Sequence, residues 1–66
     1  MAKVNLSLQP SEVAVAHCAS RIYAAYIATG RVTEGHEEEW LKRSIKEATQ
    51  IAVWVDEAIQ SDEELG

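Results

Sequence analysis

Two clusters of titratable side chains could in principle do chemistry: His17 beside Cys18, and His36 followed by Glu37, Glu38 and Glu39. A histidine base can activate a cysteine nucleophile, but neighbours on a helix point about 100° apart, so His17 cannot serve Cys18. His36 and Glu39 share a helix face and could offer two metal ligands. A di-iron carboxylate bundle needs an inward Glu-x-x-His, which the sequence lacks, so a solvated helix start is the plainer account. Cys18 is the single cysteine, which excludes an intrachain disulfide, and no Cys and His stand at zinc-finger spacing. There is no Gly-x-Ser-x-Gly elbow and no glycine-rich phosphate loop. Catalysis, a metal and a cofactor are therefore not expected. Lys42, Arg43 and Lys46 form the only basic cluster, and Glu38, Glu39 and Glu47 stand at spacings that would pair with it along a helix. Trp40 and Trp54 are about four turns apart and share a face with Ile51 and Ala58, a pattern of core or dimer packing.

The elements that carry these residues follow from periodicity. Lys3 to Gln9 alternates, with Val4, Leu6 and Leu8 on one side and Lys3, Asn5, Ser7 and Gln9 on the other, which predicts a half-buried strand over 3–9. Pro10 ends the strand and suits the first turn of a helix. The first helix is expected over 11–29, with Ser11 as cap, Glu12 at the positive end of the dipole and Gly30 as a left-handed stop. Val15, Ala19 or Cys18, Ile22 and Tyr26 make its apolar stripe, widened by Ala16, Tyr23 and Ile27. The second helix is expected over 33–60, capped by Thr33, with Gly35 weakening the start so that the boundary could slip to His36. Leu41, Ile45, Ala48, Ala52, Val55 and Ile59 recur at alternating spacings of four and three, a seam for helix packing. Residues 61–66 read as an acidic, solvated tail.

Size then sets the problem. A chain of 66 residues is one small domain, and a lone core of that size supplies only about 3–5 kcal/mol. Hydrophobic residues make up 47% and charged residues 26%, a globular balance. No apolar run approaches the roughly 18 residues that span a bilayer, and the N-terminus lacks a signal-peptide stretch, so a cytoplasmic protein without a membrane partner is expected. Helices of roughly 28 and 40 Å, folded back on each other, leave Trp54, Val55 and Ile59 uncovered. The stretch Ile51 to Val55 is apolar on all sides, which asks for burial from more than one direction. A second copy of the chain is the simplest cover. The core or dimer set is then Val4, Leu6, Leu8, Ile22, Tyr26, Leu41, Ile45, Trp54, Val55 and Ile59.

The order of strand, proline, helix, glycine turn and helix resembles the ribbon-helix-helix family of small dimeric DNA-binding proteins, which includes the Arc repressor and many antitoxins. The likeness runs from about Lys3 to Ala58, with local matches at Val4-Asn5-Leu6, Pro10, Glu12-Val13 and Gly30-Arg31. It implies a mainly α strand-helix-helix homodimer whose strands pair across a two-fold axis and enter a major groove. The base-reading positions would then be Lys3, Asn5 and Ser7. Asn suits adenine and Lys suits guanine. Arg31 would lie toward the phosphates. Two features pull the other way. The first helix is longer than the family's, and Glu34, Glu37, Glu38 and Glu39 crowd the end that should grip a phosphate. The net charge of −5 also disfavours a charge-driven hold on nucleic acid.

Two functions follow as expectations. One is a ribbon-helix-helix-like transcriptional regulator or antitoxin that reads duplex DNA. The other is an acidic antiparallel helical hairpin, dimerising into a four-helix bundle, that recognises a protein partner and binds no nucleic acid.

Overall fold

The computed structural model describes the backbone of residues 6–65 and the side chains of residues 6–60. Two helices, α1 (Pro10–Ala28) and α2 (Glu37–Leu65), are the only regular elements among the described residues. They fold back on each other as an antiparallel hairpin. Tyr26 meets Trp40 near the turn, and Ala14, Val15 and Cys18 border one groove with Ile51 and Val55 at the far end.

The start of α1 is set by Gln9 and Pro10 rather than by Ser11. Gln9 is extended (φ −70°, ψ 155°), and its N–H donates to Glu12 Oε1 at 3.1 Å while Pro10 opens the first turn. Proline suits that place because its missing N–H would have no helical partner anyway. Ser11 therefore lies inside the helix. The far end closes as the sequence predicts. Gly30 takes φ +74°, its N–H donates to Ile27 O at 3.0 Å, and the Arg31 N–H reaches back to Tyr26 O at 3.0 Å. These two bonds are a Schellman closure, which needs a left-handed residue at its hinge.

The second helix begins later than Thr33. Thr33 O accepts the His36 N–H at 3.0 Å in a turn that passes through Gly35 at φ +90°, and His36 O accepts the Trp40 N–H at 3.3 Å. Gly35 is the reason: its left-handed conformation is incompatible with a continuous helix from Thr33. Glu37 Oε1 accepts the Gly35 N–H at 2.7 Å and steadies the start. At the other end the α2 backbone stays helical through Leu65, past the expected boundary at Gln60.

The expected strand is not seen in its described part. Leu6 to Gln9 has no regular structure and all four residues are exposed; Lys3, Val4 and Asn5 lie outside the described residues. A period-two segment becomes a strand only beside another strand, and a single hairpin offers none.

The core is small. Ser44 is 0% exposed, Ala48 1% and Ala19 6%, and they are the only buried residues among those described. Small side chains let the two backbones approach, so the helices meet along a narrow line. Ser44 is tolerated there because its hydroxyl donates to Trp40 O at 2.7 Å. The molecule measures 49 × 31 × 14 Å, one helix layer thick. Its radius of gyration is 15.1 Å, against about 11 Å for a compact chain of this length.

Candidate interaction surface

The line of contact on α2 runs through Ser44 and Ala48; Ala48 belongs to the apolar stripe, whose other members Leu41, Ile45, Ala52, Val55 and Ile59 are exposed. The stripe is wider than α1 and offset to one side of it. Leu41 is 43% exposed, Ile45 50% and Ile59 53%. Beside the contact line, Ala16, Ala19 and Ser20 of α1 and Leu41, Ser44 and Ile45 of α2 border a shallow trough of about 220 Å³. Ile27 extends the same α1 stripe, eleven residues beyond Ala16, and is also half exposed.

Trp54 belongs to the other flank. It stands nine residues after Ile45, about 180° round the helix, and is 65% exposed. Val55 borders the groove at the open end of the hairpin with Ala14, Val15 and Cys18, a space of about 270 Å³ lined almost wholly by apolar atoms. Cys18 is a half-buried free thiol there. Ile22 and Tyr26 are half-buried against α2, whereas Leu6 and Leu8 are exposed beside Ser7.

At the turn end, four side chains fix the two helices to each other. The Tyr26 and Trp40 rings lie 4.8 Å apart at 57°, and the Arg43 guanidinium sits 5.2 Å from the Trp40 ring and 5.9 Å from the Tyr26 ring. The Tyr26 hydroxyl donates to Glu47 Oε1. Arg43 Nε stands 3.8 Å from the same oxygen. The hydrogen bond to the Glu47 carboxylate raises the Tyr26 pKa above its ordinary value, burial adds to the rise, and Arg43 opposes it. Sequence periodicity did not single out this cluster. The sequence presents its members separately, Tyr26 in the α1 stripe, Trp40 on a packing face and Glu47 at pairing distance from the basic residues, without showing that they meet.

Two of the three basic residues of the Lys42, Arg43, Lys46 cluster are paired along α2. Lys42 Nζ meets Glu38 Oε1 at 3.0 Å and Arg43 meets Glu47, the i,i+4 partnerships that the spacing predicts. His36 Nδ1 lies 3.5 Å from Glu39 Oε2. No group of three potential metal ligands occurs among the described residues. Ser7 and Arg31 are exposed, Ser7 before α1 and Arg31 in the link between the helices, while Lys3 and Asn5 lie outside the described residues. Glu37, Glu38 and Glu39 fill the first turn of α2 and are exposed. No described helix is long and apolar enough to cross a membrane.

Comparison of the chain with protein-family models, with curated proteins and with solved structures gives no match.

Proposed function

We propose that this protein is a helical-hairpin interaction module that works as a homodimer and whose partner is protein, not nucleic acid. One observation carries the reading. Among the described residues, nine large apolar side chains are exposed on a hairpin whose buried core is two alanines and a serine, and Leu6 and Leu8 are exposed just before it. A surface of that kind on a small chain marks association. At about 25 cal/mol per Å² of apolar area removed from water, covering it is the largest stabilisation open to the molecule.

The exposed carboxylates of Glu37, Glu38 and Glu39 support the protein-binding side of the reading, because they repel a phosphate at the helix end a DNA-binding ribbon would use. Sedimentation equilibrium at micromolar concentration, with labelled duplex DNA titrated in parallel at low salt, tests both halves. The expected result is a dimer with no DNA bound. A folded monomer removes the association. A complex with duplex DNA that weakens steeply with salt restores the ribbon-helix-helix reading through Lys3, Asn5, Ser7 and Arg31.

A further inference from the structure

We infer that the second copy covers the Leu41–Ile45 flank of the hairpin, with α2 of each chain seated on α1 of the other. This rests on the homodimeric reading above and specifies its geometry. The two sides of that flank differ in size. On α1 it presents Ala16 and Ser20, both small and exposed; on α2, at the same level across the trough, it presents Leu41 and Ile45. Interdigitated cores set large side chains opposite small ones. A two-fold axis parallel to the helices does this without distorting either chain, because it keeps each level and exchanges the two sides. Ile45 of each copy then lands between Ala16 and Ser20 of the other, and all neighbouring helices run antiparallel, as in a four-helix bundle.

The occupant is a twin because the face is complementary to itself. The side chains that border the trough, Ala16, Ala19, Ser20, Leu41, Ser44 and Ile45, carry no charge. Each flank carries one ion pair: Lys42–Glu38 beside Leu41 and Ile45 is exposed on both partners and can stay at a solvated rim, whereas Glu47 of the Arg43–Glu47 pair on the opposite flank also holds the Tyr26 hydroxyl, and dimerisation there would have to desolvate it. A second layer also converts a slab 14 Å thick into a two-layer body, the minimum that encloses a core.

The experiment is a charge complementation read by sedimentation and far-UV circular dichroism on the full chain. Ile45→Lys alone and Ala16→Glu alone should each weaken dimerisation by about tenfold or more. Mixed one to one, they should recover the dimer, because the ammonium introduced on α2 of one chain meets the carboxylate introduced on α1 of the other while the second contact stays native. If each variant alone is unfolded, recovery of helix on mixing supports the geometry equally. Trp54→Lys, on the far flank, should leave the dimer intact. A dimer that survives Ile45→Lys but is lost in Trp54→Lys overturns this geometry and leaves the homodimer standing. Single variants that dissociate and do not recover on mixing also overturn it. A wild-type protein that is a folded monomer overturns the homodimer itself.

Discussion

Tyr26 on α1 donates a hydrogen bond to Glu47 on α2, and among the described residues this is the one side-chain hydrogen bond that joins the two helices. It sits at the turn end beside Trp40 and Arg43, so the hairpin is fastened by polar and aromatic contacts where it closes and by small side chains further along.

The Tyr26 phenol should titrate above its ordinary value of about 10. A folded-state pKa raised in this way contributes stability that is complete below the unfolded value and is lost as pH rises through the folded one. Alkaline titration of phenolate absorbance should therefore show a late phase that vanishes in Tyr26→Phe and moves to lower pH in Glu47→Ala. Thermal stability should fall across the same alkaline window in the wild type more than in Tyr26→Phe. An unchanged titration in Glu47→Ala refutes the bond.

Ala48 is almost fully buried where the helices pass closest. Ala48→Leu should push them apart and destabilise the fold by about 1–3 kcal/mol, the usual cost of overpacking. Ser44→Ala in the same line should change stability by less than about 0.5 kcal/mol. The hydroxyl it removes serves only a carbonyl within its own helix, and alanine is the better helix former. Thermal melts of the two variants at equal concentration provide the comparison.

Gly30 holds φ +74° with open space where a Cβ would go. Gly30→Ala should thus suffer backbone strain without a clash, a loss of about 1–2 kcal/mol. Gly30→Asn should lose less, since asparagine tolerates the left-handed region. Equal melting temperatures for Gly30→Ala and wild type contradict the Schellman closure.

The Lys42–Glu38 pair is exposed on both sides. Lys42→Ala should cost no more than about 0.5 kcal/mol, and raising the salt should abolish even that difference. A larger effect, persisting in high salt, gives Lys42 a role outside its own helix.

Local signals were legible in the sequence to the degree that they are local. Proline at the first turn, glycine at φ +74° and the i,i+4 ion pairs depend on residues within one or two turns, and α1 lies within a residue of its expected bounds. The sequence leaves the second helix start between Thr33 and His36, because Thr33 is a competent cap whose use depends on what Gly35 does, and the structure takes the later choice with the helix from Glu37. Periodicity located the apolar stripe of α2 through Leu41, Ile45 and Ala48, but of these α1 buries only Ala48, together with Ser44 beside the stripe. Helices settle where backbones can approach, and a hydropathy pattern does not weigh bulk against closeness. The Tyr26–Glu47 bond depends on how the helices align, which no single segment encodes. The alternation from Val4 to Leu8 marks a segment able to pair, but pairing needs a neighbour that one hairpin does not provide.

A slab 14 Å thick has two outsides and almost no inside. For such a chain, endurance becomes a matter of supply. In the proposed homodimer, scarce copies would stay open to proteases while plentiful ones would shelter each other, so the rate of synthesis would govern lifetime as well as amount.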